Sequence, residues 1–305
     1  MEPPLLRALE FYSGIGAFAQ ACRSLDLDQP INIDVVRAFD QNHLANAAYF
    51  ANWQEQPCAR NLDSIALAEL PEADLWWLSP PCTPYSRRGS RKDIEDNRSV
   101  SFLRLIEFML ERRPRLILVE NVEGFLESKV FTHLRSRLCD YCLSTVSLCS
   151  SQFGVPMLRP RVFVIASLKP HQPLQAPAGV ARQALSSFLN AANDKDERLL
   201  LSREEQARYE PVLNAVDGSD PSSYSICFTS GYWRCRKAGG SMLKVGGRLR
   251  FFAPDEILKL LGFADCYSVG ENISLPAAFR LVGNSVDVRV IRYLLTTLYM
   301  QGVLN

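Results

Sequence analysis

Cys82 stands in the run Ser79-Pro80-Pro81-Cys82-Thr83-Pro84-Tyr85-Ser86. A cysteine among prolines at the end of an apolar stretch is held rigid and open to solvent, whereas structural cysteines are buried and inert. A free thiol of pKa about 8.5 is a few per cent thiolate at neutral pH, and full ionisation costs about 2 kcal/mol. A positive neighbour is enough to supply that. Glu120 closes the apolar run Arg115–Glu120 and must find a proton or a partner; burial raises its pKa toward that of a general acid. The competing reading is a carboxylate resting on a helix N-terminus. Arg159 and Arg161, two residues apart on a strand, point to one face and can clamp a base, a phosphate or the Glu120 carboxylate. A solvated pair on a sheet edge is the plainer alternative. Taken in order, a thiolate can add to carbon 6 of a pyrimidine while an acid at ring nitrogen 3 offsets the charge that develops. Carbon 5 then becomes nucleophilic toward a sulfonium methyl group.

A second constellation precedes these residues. In Phe11-Tyr12-Ser13-Gly14-Ile15-Gly16-Ala17-Phe18 the glycines permit a sharp turn and close approach to a ligand. The helix that follows offers unpaired N–H groups. Asp40, at the end of the next strand, is placed to accept hydrogen bonds from ribose hydroxyls. Together they read as a nucleoside-cofactor site, although Gly14-x-Gly16-x-x-Ala19 suits NAD equally well and a ligand-free tight turn competes.

The elements that must hold these residues alternate. Strands are expected at Leu9–Tyr12, Ile33–Phe39, Asp74–Ser79, Arg115–Glu120, Ser144–Leu148 and Val162–Leu168. Helices are expected after the glycine loop to about Leu25, after Asp40 to about Asn52, at Ser99–Arg112 and over most of Val122–Cys139. That alternation predicts an α/β fold with a mostly parallel sheet, whose ligands lie beyond the carboxyl ends of its strands. Gly14, Gly16, Asp40, Cys82 and Glu120 all follow strand ends. Periodicity fades at Lys169-Pro170, so residues 170–250 read as a smaller irregular domain. Helical signals return at Pro254–Leu261 and Val286–Met300, which pack back on the first domain of residues 1–169.

The 305 residues, 47% apolar and 22% charged, describe a globular chain without a bilayer-spanning run or a secretory signal. Nine cysteines without an export signal imply free thiols in a reducing compartment. The net charge of +1 hides acid-free stretches. Tyr141–Asn193 and Pro221–Pro254 contain no Asp or Glu, and the second carries Arg234, Arg236, Lys237, Lys244, Arg248 and Arg250. With Arg87, Arg88, Arg91 and Lys92 they form a surface for a polyanion if they share a face. Cys139-x-x-Cys142 lacks the partners of a zinc site, so no metal is expected.

The order of these motifs resembles the cytosine-5 methyltransferase family over nearly the whole chain. Phe11–Phe18 looks like its first cofactor motif, Asp40 its ribose-binding acid and Leu62-Asp63 its adenine-contacting segment. Ser79–Ser86 looks like its catalytic loop, Glu120-Asn121-Val122 its acid, Gln152–Val162 its Arg-x-Arg and Arg280–Val286 its last motif. The resemblance implies a Rossmann-like sheet binding S-adenosylmethionine, with a smaller target-recognition domain. It assigns catalysis to Cys82, Glu120, Arg159 and Arg161, and the cofactor to Phe11, Ser13, Gly14, Ile15, Gly16, Ala17, Asp40, Leu62, Asp63, Ser79, Asn284 and Ser285. Cys227-Phe228-Thr229 further resembles the branch that methylates tRNA-aspartate in its anticodon loop. Nucleic-acid contacts are then expected from Arg87, Arg88, Arg91, Lys92, Cys227, Thr229, Tyr232, Trp233, Arg234 and Lys237, with the aromatic rings stacking on splayed bases. Thr83, where the family more often has Gln, and Tyr85–Arg88 depart from the usual run. The reading expects a cytoplasmic monomer acting on tRNA, with duplex DNA as the alternative and weaker partner.

Overall fold

The computed structural model describes residues 5–25, 31–85, 92–235, 239–270 and 272–304. In chain order the first part comprises β1 (Leu5–Phe11), α1 (Ala17–Arg23), β2 (Asn32–Phe39), α2 (His43–Trp53), β3 (Leu75–Leu78), α3 (Val100–Arg112) and β4 (Leu116–Asn121). Next come α4 (Lys129–Arg137), β5 (Cys142–Cys149), β6 (Met157–Leu158) and β7 (Pro160–Ser167). β1, β2, β3, β4, β5 and β7 form one sheet in the order β2-β1-β3-β4-β7-β5. β1 to β4 pair in parallel, and β7 runs antiparallel between β4 and β5.

The central strands β3 (LWWL) and β4 (LILVEN) are buried throughout, as continuous apolar runs covered on both faces should be. Side chains alternate across the sheet. Leu75, Trp77, Leu116, Leu118, Phe163 and Ile165 pack on one face with Phe18 of α1 and Ala45 of α2. Trp76, Leu78, Ile117 and Val119 pack on the other with Phe102 of α3 and Leu134 of α4. The same period puts Glu120 on the face of Leu118, and Arg161 on the face of Phe163.

Residues 170–250 contain only short elements: α5 (Arg203–Tyr209), β8 (Ala215–Val216), β9 (Ser225–Ile226), β10 (Met242–Val245) and the start of β11 (Arg248–Phe251). Their apolar residues, among them Leu185, Phe228 and Leu243, join the cluster that contains Trp77. The chain returns through α6 (Pro254–Leu260), α7 (Leu275–Gly283) and α8 (Val288–Met300). α7 was not expected from the sequence, although Pro276 in its first turn is a helix-start signal. The helix expected over Val122–Cys139 is instead a short 3-10 turn, Glu123–Glu127, followed by α4. The side chain of Ser128 caps α4 by accepting from Phe131 N. No helix among the described residues is long and apolar enough to cross a membrane.

The expected basic surface is partly internal. Arg250 is fully buried, bonded to both oxygens of Glu256 at 2.7 and 2.8 Å and to Asp194 at 2.9 Å. Arg248 lies 3.5 Å from Glu197. Arg87, Arg88, Arg91, Arg236 and Lys237 lie outside the described residues.

The glycine loop shows why its residue types are fixed. Gly14 and Gly16 have φ of 54° and 78°, the left-handed region. A Cβ on Gly16 would stand 2.2 Å from Trp53 Cζ3 on α2. Gly16→Ala should therefore cost more than the roughly 1–2 kcal/mol of the backbone conformation alone, seen as a lowered midpoint in urea unfolding.

Candidate active site

A cavity of about 590 Å3 opens at the carboxyl ends of β1 to β4. Its wall includes Ser13, Gly14, Ile15, Ala17, Asp40, Leu62, Asp63, Ser79, Cys82, Glu120, Arg159, Arg161, Asn284 and Ser285. Two expected cofactor residues are elsewhere. Phe11 is fully buried and its ring stacks on Phe39 at 5.0 Å, and Gly16 backs onto Trp53. The residues around each glycine line the cavity, while Phe11 and Gly16 set the course of the loop.

The loop is tied to its neighbours. Asp40 accepts from Gly14 N and Asn42 N, each at 2.8 Å, which joins the ends of β1 and β2. Burial pushes the Asp40 carboxyl up, and these two amides oppose it. Ser79 Oγ donates to the carbonyl of Tyr12 at 3.0 Å, and the Tyr12 hydroxyl donates to Ser101 Oγ at 2.9 Å. Tyr12 itself is held at φ 57°, an unusual conformation for a tyrosine. The hydroxyls of Ser13 and Ser285 are buried in this wall with no hydrogen-bond partner among the described residues. Buried polar atoms are ordinarily paired, so the two are spare donors and acceptors for a polar ligand.

Cys82 sits where β3 has ended. Asn121 Nδ2 donates to the Pro80 carbonyl at 3.2 Å, and Tyr85 N to the Cys82 carbonyl at 3.0 Å. Glu120 is 7% exposed, and Arg161 Nε donates to its Oε1 at 3.0 Å. Burial pushes the Glu120 carboxyl up, with Arg161 and then Arg159 pulling it back, which suits it to hold a proton. Arg159 precedes β7 and is 4% exposed. It donates to the carbonyls of Phe228 (2.9 Å), Gly283 (3.3 Å) and Ser285.

Cys82 is exposed, as its proline-flanked loop predicts. Its surroundings still push the thiol up, and Arg161 offsets this only in part while Glu120 adds to it. Its reactivity toward iodoacetamide should rise with pH through a midpoint above the ordinary thiol value, since the reactive form appears only as the raised pKa is passed. Arg161→Ala, which removes the largest lowering influence, should move that midpoint further up.

The expected nucleic-acid residues divide. Tyr232 is 2% exposed; its hydroxyl donates to the Ser241 carbonyl and accepts from Phe252 N at 3.0 Å. Trp233 stacks on Phe279 of α7, centroids 5.4 Å apart. Tyr232 is committed to the core and is not free to stack on a base, whereas Trp233 is half-buried. Thr229 Oγ1 donates to the Gly239 carbonyl at 3.2 Å, and its neighbour Ser230 lines the cavity. Lys92 and Arg234 are exposed. Cys227 lies against Arg159 and Arg161.

The structure adds residues that motif reading missed. Glu10 and Trp77 line the cavity from strands where only the strand period pointed to them, and Phe18 lines it from the first turn of α1, at the end of the glycine motif. Arg98 lines it near Cys82, with its Nε and Nη2 bonded to the two oxygens of Asp96 at 2.8 and 2.9 Å. The Asp96-x-Arg98 spacing before α3 was its signal. Among the described residues no cluster of His, Cys, Asp or Glu is arranged to hold a metal ion.

Residues 6–207 match the model of the C-5 cytosine-specific DNA methylase family. A Schizosaccharomyces pombe protein named tRNA (cytosine(38)-C(5))-methyltransferase is 31% identical over 332 residues, 96% of each chain. A Dictyostelium discoideum protein named DNA (cytosine-5)-methyltransferase is 27% identical, covering 96% of this chain and 94% of that one. The solved structure of the Entamoeba histolytica methyltransferase EhMeth superposes with a TM-score of 0.87 at 26% identity, over 97% of this chain and 98% of that one. The chain belongs to the C-5 cytosine methyltransferases, enzymes whose cofactor is S-adenosylmethionine.

Proposed function

We propose that the enzyme methylates carbon 5 of cytosine 38 in the anticodon loop of tRNA-Asp or tRNA-Glu through a covalent adduct on Cys82. The observation that carries the chemistry is the single cavity wall on which Cys82, Glu120 and Arg161 meet, with Glu120 and Arg161 3.0 Å apart. The choice of tRNA is supported by the Cys227-Phe228-Thr229 signature and by the name of the relative with 31% identity.

S-adenosylmethionine supplies an electrophilic methyl group on a sulfonium. Ser13, Gly14, Ile15, Ala17, Asp40, Leu62, Asp63, Ser79, Asn284 and Ser285 would hold it, and the spare hydroxyls of Ser13 and Ser285 fit so polar a molecule. Cys82 gives up its proton to solvent water as the base docks, and the thiolate adds to carbon 6. Glu120, whose carboxyl burial pushes up, donates toward ring nitrogen 3 as charge builds there. Arg161 fixes the orientation of Glu120, and Arg159 anchors that end of β7 to the segment carrying Ser285. Loss of the carbon 5 proton then expels Cys82. Residues 170–250 form the proposed target-recognition unit and carry the exposed Arg234; Lys92 is also exposed, and Arg98 lines the cavity. An open loop suits this site because extruding a base costs less there than from a duplex. The working form is a monomer in the cytoplasm, a reducing setting for nine unpaired cysteines.

Tritiated S-adenosylmethionine with total tRNA and, separately, duplex DNA should label tRNA, and Cys82→Ala should reduce that label on the order of 10^3-fold or more. Label confined to DNA would overturn the RNA assignment. In calorimetry, Ser13→Ala and Ser285→Ala should each weaken S-adenosylhomocysteine about 2- to 12-fold, the worth of one net hydrogen bond.

A further inference from the structure

Cys227 is an ionisable group beside Arg159 and Arg161 that the mechanism leaves without a task. Its sulfur lies 3.0 Å from Arg159 Nη1 and 3.7 Å from Arg161 Nη2. Both guanidinium groups are shielded from water, Arg159 at 4% exposure and the Arg161 side chain at 16%. Among the described residues the two cations face a single carboxylate, Glu120, on β4. Behind them Cys82, on the loop after β3, carries a thiol whose ionisation burial opposes. From the end of β5, Cys149 Sγ accepts from Arg159 N at 3.2 Å. The segment 283–285 contributes carbonyl oxygens and has no ionisable side chain. Whenever Glu120 carries the proton that its role requires, two buried positive charges would have no anion unless Cys227 supplies one. Isolated buried charges of this kind are costly.

We propose that Cys227 is a thiolate in the folded enzyme, the second counter-anion of the Arg159–Arg161 pair, and acts as a positioning residue. It holds both guanidinium groups in place and, by absorbing part of their charge, lets Glu120 keep the proton it directs at ring nitrogen 3. The inference rests on the catalytic roles proposed for Cys82 and Glu120. Burial pushes the Cys227 thiol up, but Arg159 and Arg161 together more than reverse this and hold it below the ordinary thiol value. A charge-assisted hydrogen bond from each arginine is the geometric counterpart.

The consequences have a definite sign. Removing an anion beside the arginines lowers the pKa of both Glu120 and Cys82, because each then feels more uncompensated positive charge. In single-turnover methylation of tRNA, Cys227→Ser should therefore displace both limbs of the pH profile to lower pH. Cys227→Asp, which restores a fixed anion, should return them toward the wild-type positions. A loss of rate with both limbs unmoved would overturn the proposal, since a packing defect predicts that pattern. A second reading needs no activity: peptide-resolved iodoacetamide labelling of Cys227 in the wild-type protein across pH. A midpoint below about 8.5 is expected, and one at or above it would overturn the thiolate. If no nucleic acid is methylated, the functional reading fails while the labelling still decides the state of Cys227.

Discussion

The 3.0 Å contact between Glu120 and Arg161 exists because one strand runs against its neighbours. β1 to β4 are parallel and deliver Ser13, Cys82 and Glu120 to one edge of the sheet at their carboxyl ends. β7 is antiparallel to β4, with Glu120 opposite Phe163 and Asn121 opposite Val162. Its amino end, which carries Arg159 and Arg161, therefore arrives at that same edge. Were β7 parallel, the arginines would emerge at the far end of the sheet, about 20 Å away for strands of this length. A nearly buried carboxylate would then lack its cation.

From that contact the site assembles outward. Arg159 is spent on the carbonyls of Phe228, Gly283 and Ser285 and so joins three separate stretches of chain. The helix α7 ends on Gly283, whose missing side chain is a requirement: a Cβ there would stand 2.4 Å from the carbonyl carbon and oxygen of Thr229. Cavity-lining Ser230 and Ser285 are thus held by the same close approach. Burial pushes both Glu120 and Cys82 up, and Arg161 and Arg159 oppose it at each.

Much of this was legible in the sequence because the chemistry sits at strand ends, and strand ends carry local punctuation. Gly14, Asp40, Cys82 and Glu120 were each marked by a change of pattern within a few residues, and all four line one cavity. Failures came where the deciding partner lies far along the chain. Arg250 sits in an acid-free stretch yet is neutralised by Glu256 just beyond that stretch and by Asp194 from before it. Tyr232 looks like part of a stacking platform, but Phe251 and Phe279 claim its ring. Phe11 and Gly16 belong to the cofactor motif and serve its shape, a distinction that only packing reveals. Nothing local foretold the direction of β7.

The apolar cluster beneath the cavity does not respect the division suggested by composition. It runs from Trp77 and Phe163 of the main sheet through Leu185, Phe228 and Leu243 of the irregular segment to Phe279 and Leu294 of the closing helices. Cooperativity follows from such continuity, since neither part can lose its packing without exposing the apolar surface of the other. Denaturation of this chain then approaches a single transition, and a cut at residue 170 would leave two fragments, each missing half of a shared interior.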